Sequence, residues 1–142
     1  MIRTSGLSHI NLNVSDIGRS MRFYQEVFGL ELLHRHEGPM GSHPWGQQVA
    51  LSTPGANDVI ALSHVPGEPV GPGGLDHFGL NLRSDDEVER AILEVERAGA
   101  KLIRRGSGEV DGIVEHFAYL RDPDGYVIEL NAQRVLLARK RI

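Results

Sequence analysis

Cysteine is absent from the 142-residue chain, and that absence removes disulfides, zinc-thiolate centres, iron–sulfur clusters and thiol nucleophiles. Any metal held here must sit on histidine and carboxylate. Excess positive charge is also missing: 15 Lys+Arg stand against 19 Asp+Glu, a net charge of −4, which gives no electrostatic footprint for nucleic acid. No apolar run approaches the roughly 20 residues that span a bilayer, and no signal-peptide core follows Met1-Ile2-Arg3-Thr4-Ser5-Gly6. The chain therefore reads as cytoplasmic, with a small molecule rather than nucleic acid or membrane as its partner. What is present is enough apolar sequence, 40%, for one compact domain over 1–142, and seven histidines that need an explanation.

An internal repeat organises the chain. Leu7-Ser8-His9-Ile10-Asn11-Leu12-Asn13-Val14 is echoed 68 residues later by Leu75-Asp76-His77-Phe78-Gly79-Leu80-Asn81-Leu82. Both segments alternate with period two, so Ile10, Leu12 and Val14 oppose His9, Asn11 and Asn13, and each reads as a half-buried strand. An amphipathic helix follows each. The first opens at Ser15 or Asp16, carries Ile17, Met21, Tyr24 and Phe28, and stops at Gly29; the second has Ser84 and Glu87 as a capping box and stops near Gly99.

Leu30 to His36 and Lys101 to Arg105 read as second strands, each followed by a Gly-rich loop and a hairpin. The hairpins are Gln47–Ser52 with Val59–His64, and Glu115–Arg121 with Tyr126–Asn131. The predicted fold is α+β: two tandem β-α-β-β-β modules, 5–65 and 75–132, forming a curved mixed sheet around a cup, with a tail over 133–142. Pro66 to Gly74 is the connector, Gly38 to Gly46 with His43 and Trp45 a lid, and Arg134 to Ile142 a solvated helix.

In such a module the strand residues that point away from the helix meet solvent or line a cavity. His9 and His77 both point that way, at matched positions. Glu129, between Ile128 and Leu130, faces away from the apolar side of its strand, and its equivalent in the first half is Ala61. The repeat thus offers two histidines and one carboxylate out of four symmetric positions. His34 and His36 belong to a solvated edge.

These residues resemble a known family. The His strand, a helix with Arg22-Phe23-Tyr24 that ends Phe28-Gly29-Leu30, the second His strand, and Asp122-Pro123-Asp124-Gly125 ahead of Glu129 are similar to the vicinal oxygen chelate superfamily. That superfamily includes glyoxalase I, extradiol dioxygenases, fosfomycin-resistance enzymes and bleomycin-binding proteins. The resemblance implies metal ligands at His9, His77 and Glu129. Glyoxalase I uses four protein ligands, and Ala61 stands where one of them is missing.

Two histidines and a carboxylate suit Fe(II) taking a bidentate substrate and O₂, with Mn(II), Zn(II) or Ni(II) as alternatives. Tyr119, ten residues before Glu129, follows the extradiol signature and implies a phenol that hydrogen-bonds substrate; it shares a face with Glu129 if the turn through Pro123, Asp124 and Gly125 has three residues. The further histidine of that signature has no match, since His116 alternates to the other face, and His64 is the candidate acid/base. Asn11, Asn13 and Asn81 would line the cup. The resemblance also implies a homodimer, with His9 from one subunit and His77 and Glu129 from the other. The expected function is extradiol-type ring cleavage. The alternatives are a fosfomycin-resistance-type thiol transferase, a glyoxalase-like lyase, or metal-free drug binding of the bleomycin-resistance type.

Overall fold

The structure, a computed structural model, describes residues 2–3, 6–38, 46–110 and 112–135. The chain divides into two compact units, Met1–Gly71 and Pro72–Ile142, and the dividing point falls in the Pro- and Gly-rich connector. The first contains β1 (Ile10–Asn13), α1 (Ile17–Phe28), β2 (Glu31–Glu37), β3 (Gln47–Ser52) and β4 (Ile60–His64); the second contains β5 (Phe78–Asn81), α2 (Asp85–Arg97), β6 (Lys101–Val110), β7 (Ile113–Arg121) and β8 (Val127–Val135). Each unit is one four-stranded mixed sheet, ordered β1-β4-β3-β2 and β5-β8-β7-β6. The class is α+β, as the repeat predicts. Among the described residues no helix is long and apolar enough to cross a membrane.

The offset of 68 reappears as hydrogen-bonded register. Ile10 pairs with Ile60 and Asn11 with Ala61 in parallel, and Phe78 pairs with Ile128 and Gly79 with Glu129 in the same way. One edge strand of each sheet also carries a bulge, at Leu33 in β2 and at Ile103 in β6. Alternation then sorts the side chains. Leu12, Leu62 and Val49 are fully buried, as are Leu120, Ile128 and Leu130, and these rows form the apolar side of each sheet. The helices α1 and α2 pack against their own sheets, with Phe23 and Tyr24 buried from α1 and Val88, Ile92 and Val95 from α2. Each such side chain contributes about 1.5–3 kcal/mol when withdrawn from water.

The helix ends are built as the caps predict. Asp16 accepts the Arg19 N–H at 2.8 Å, and Gly29 closes α1 in the left-handed region at φ 66°. Ser84 accepts the Glu87 N–H at 3.3 Å while the Glu87 carboxylate reaches back to the Arg83 N–H at 2.6 Å. Between β7 and β8, the Asp122 and Tyr126 backbones pair, leaving a three-residue turn of Pro123, Asp124 and Gly125. Gly125 takes φ 90°, and Asp122 Oδ1 accepts the N–H groups of Asp124 and Tyr126 at 3.0 and 2.9 Å.

Two sequence expectations are corrected. Gly106-Ser107-Gly108 is strand rather than loop: β6 continues to Val110, with Gly106 opposite Phe117 and Gly108 opposite Glu115, because a long β7 gives each residue from Arg104 to Val110 a ladder partner. Arg134 and Val135 extend β8 opposite Val114 and Ile113 rather than opening a helix, so the strand overrides the charge pattern read there. Residues 136–142 of the expected tail, and 39–45 of the expected lid with His43 and Trp45, lie outside the described residues. At the lid's base the Gly38 N–H donates to the Gly46 carbonyl at 2.9 Å.

The Arg19 N–H bond holds the Asp16 carboxyl below its ordinary 3.8. A group lowered in this way stabilises the fold above its unfolded value, and that stability is lost as pH falls through the folded value. Asp16→Asn keeps the cap without titrating, so it should match wild type near neutral pH and lose less thermal stability below about pH 4; superimposable acid profiles would refute the coupling. Gly125→Val forces a β-branched residue into the left-handed region and should cost about 1–2 kcal/mol, read as a lower urea midpoint. An unchanged midpoint would mean that the turn tolerates another conformation.

Candidate metal centre

The second unit gathers its polar side chains on the sheet side opposite the apolar row. Parallel pairing sets Gly79 beside Glu129, and His77, two residues before Gly79, shares that side. Antiparallel pairing sets Tyr119 opposite Glu129, which is the register that the three-residue turn produces. Gly79 stands beside that carboxylate: a Cβ on it would lie 3.8 Å from Glu129 Oε2, an ordinary van der Waals contact. His77 Nε2 comes to 3.3 Å from Glu129 Oε2, and the rings of His77 and Tyr119 meet edge to face with centroids 5.2 Å apart.

Each atom of this group has a defined role. His77 Nδ1 donates to Asp76 Oδ2 at 2.5 Å, and Nε2 is the nitrogen that faces Glu129, with its lone pair when the ring is neutral. Asn131 Nδ2 donates to Glu129 Oε1 at 3.0 Å and turns the other oxygen toward His77. Tyr119 also bonds Glu129; burial, with the negative charge and hydrogen bond of Glu129 behind it, raises the phenol above its ordinary 10.0 and keeps it protonated. His77 and Glu129 remain open to approach, their side chains 34% and 15% exposed.

In the neutral ring a lone pair would face a carboxylate oxygen at 3.3 Å, a repulsion that either a second ring proton or a cation between them removes. Two donors at about 2.1 Å from one metal are separated by about 3.0 Å at a right angle and about 3.4 Å at the tetrahedral angle. The observed spacing falls between the two. The Asp76 bond to Nδ1 is the outer support that metal-binding imidazoles use. The pair therefore fits a divalent metal. Among the described residues no set of three His, Asp or Glu gathers around one point, so this pair offers a metal two donors.

The first unit carries the other expected residues. His9 is exposed just ahead of β1, its Nδ1 at 2.9 Å from the Ser8 hydroxyl, a counterpart of the Asp76–His77 contact. Asn11 Oδ1 accepts from Ser63 Oγ at 2.9 Å, and Ser63 Oγ accepts from Gln48 Nε2 at 3.2 Å. Asn13 Nδ2 donates to the Pro69 carbonyl at 3.4 Å. Ala50 and Ala61 pair where the second unit pairs Tyr119 and Glu129.

His64 alternates away from Ala61 and Ser63, and its Nδ1 donates to the Val14 carbonyl at 3.0 Å, which is an anchoring bond rather than a proton path. Asn81, exposed, pairs with Asn131. His116 also faces the helix side, where its Nε2 donates to Glu89 at 2.8 Å. Sequence reasoning missed Asp76 and Asn131. Both had a signal, since a polar residue precedes each repeat histidine and Asn131 stands 68 residues after Ser63.

Residues 6–130 match the family model of the Glyoxalase/Bleomycin resistance protein/Dioxygenase superfamily. A probable lactoylglutathione lyase of Vibrio parahaemolyticus is 31% identical over 122 residues, covering 86% of each chain. Lactoylglutathione lyase GLX1 of Arabidopsis thaliana is 30% identical over 86% of this chain, which spans only 42% of that protein's length. A glyoxylase/bleomycin resistance protein/dioxygenase domain from Frankia superposes with a TM-score of 0.72 at 25% identity, over 93% of this chain and 100% of that one. A fosfomycin resistance protein of Listeria monocytogenes, solved with Mn(II) and a dihydroxypropylphosphonic acid, superposes at 0.66 with 22% identity, over 90% of each. With a family model matched over 6–130 and a fold shared with solved members, the chain belongs to the vicinal oxygen chelate superfamily.

Proposed function

We propose that this chain is a metal-dependent enzyme of the lyase kind, acting on a small substrate that presents two vicinal oxygens. The observation that carries the reading is the His77–Glu129 pair, with His77 Nε2 3.3 Å from a carboxylate oxygen and Nδ1 bonded to Asp76. His9, from the second copy of a homodimer, is the proposed third ligand. One divalent metal would supply Lewis acidity at this point.

The lyase names of the relatives favour this reaction class, and ring cleavage draws no support from them. Without O₂ chemistry the ion undergoes no redox change, and Fe(II) loses its priority over Mn(II), Zn(II) and Ni(II). Ala61 offers no fourth ligand, so the substrate takes the additional position. Tyr119 serves as a hydrogen-bond donor beside the chelated oxygens. Asn131 orients Glu129.

Protein purified without chelators should hold one divalent metal per site, and His77→Ala or Glu129→Ala should lose it. Asp76→Ala leaves both donors in place but should weaken metal affinity roughly 10–100-fold. Chelator-sensitive turnover of lactoylglutathione or its hemithioacetal precursor is the expected activity. Oxygen uptake with catechols would return the assignment to ring cleavage, thiol addition to an epoxide would shift it to the transferase, and a metal-free protein with unchanged ligand binding in His77→Ala would leave drug binding.

Subunit sharing has its own test. His9→Ala and His77→Ala proteins, each inactive, should regain activity when unfolded and refolded together, because the mixed dimer holds one intact set of ligands. A mixture that stays inactive while a refolded wild-type control recovers would refute the shared site.

A further inference from the structure

Beyond the metal pair, the same side of the second sheet continues into a row that metal binding does not use. Glu115, Phe117 and Tyr119 follow one another along β7, with Asn131 opposite Phe117 and Gln133 opposite Glu115 on β8. On the outer flank the partners of Glu115 and Phe117 are Gly108 and Gly106. A Cβ on Gly106 would meet the Phe117 ring at 3.0 Å, so the ring lies over that glycine. A Cβ on Gly108 would meet nothing within 4 Å, so the space beside Glu115 is open. The glycines of Gly106-Ser107-Gly108, unusual in a paired strand, thus leave a trough along β7.

The end of the trough is rich in acceptors. Asn131 Nδ2 lies between two carboxylates, at 3.0 Å from Glu129 Oε1 and 3.4 Å from Glu115 Oε2. Those contacts fix the amide orientation, since the reverse would set its carbonyl against both anions. Asn131 is 7% exposed, and its Oδ1 is buried with no donor among the described residues. A buried acceptor left in this way destabilises the fold until a donor reaches it. Arg104 lies over the Phe117 ring, 5.6 Å from its centroid, and pairs with neither carboxylate among the described residues.

We propose that Glu115, with Asn131 beside it, determines specificity by binding a hydrogen-bond-donating group of the substrate, ammonium ahead of hydroxyl, while the vicinal oxygens occupy the metal. This rests on the metal reading above and adds the part of the substrate that lies along Phe117. A carboxylate or phosphonate at the same place would face Glu115 and is selected against.

Three diols with a common head separate the alternatives: 3-amino-1,2-propanediol, glycerol and 2,3-dihydroxypropane-1-sulfonate, whose anion coordinates metal poorly, titrated by calorimetry into the whole protein with and without Mn(II). The expected order is amine, then glycerol, then sulfonate, with about tenfold or more between the first and last, the gain of one charge-assisted hydrogen bond. Glu115→Gln, of the same shape, should erase that order. Gly108→Val adds a side chain to open space in a strand and should also weaken the amine, so the test survives a misfolded first variant.

Equal binding of the three, an order retained in Glu115→Gln, or no binding of any overturns the inference. An order that is present without Mn(II) and lost in Glu115→Gln upholds it while removing the metal reading. Metal-dependent binding without any order does the reverse.

Discussion

The candidate site depends on one carboxylate that is not part of it. Asp122 Oδ1 takes the N–H groups of Asp124 and Tyr126, and so the turn between β7 and β8 closes with three residues. A two-residue closure would have set Tyr119 opposite Ile128, and the phenol would have been turned into the apolar layer. The spacing of Tyr119, Glu129 and Asn131 is therefore a property of the turn before it is a property of the strands. The parallel bond ladder from β8 to β5 then carries the same register across to Gly79 and His77.

Much of this was legible without coordinates, because duplication let the chain be compared with itself. Two His-bearing strands 68 residues apart predict matched positions, and the ladders reproduce that spacing in Asn11 with Ala61 and Gly79 with Glu129. Caps at Asp16, Ser84 and Gly29 were legible because few residues satisfy a helix end. What escaped depends on partners rather than on the residue itself. Gly106 and Gly108 carry low strand propensity and read as loop until β7 is there to pair with them. Arg134 reads as a solvated helix residue until Val114 lies opposite. Asp76 and Asn131 act through another side chain, and a second-hand role has no periodicity to show it.

The two units show what divergence does to a common frame. Where the second has Tyr119 and Glu129, the first has Ala50 and Ala61, both buried, beside a chain of hydrogen bonds from Gln48 through Ser63 to Asn11. Asn11, opposite Ala61, occupies the position that Gly79 holds opposite Glu129. Backbone geometry was kept while side-chain chemistry was reassigned, which is the usual way for one fold to host different functions.

The matched bulges at Leu33 and Ile103 bear on how copies of this chain can meet. Each interrupts the outermost strand of its sheet, and in β2 the flanking positions Glu31, Arg35 and Glu37 are charged and exposed. A kinked, charged border is a poor template for another strand, so continuous sheets running from molecule to molecule are disfavoured and aggregation by that route is suppressed. The β2 and β6 margins are thereby guarded against strand addition, a constraint that leaves the polar side of the second sheet, where His77 and Glu129 stand, untouched.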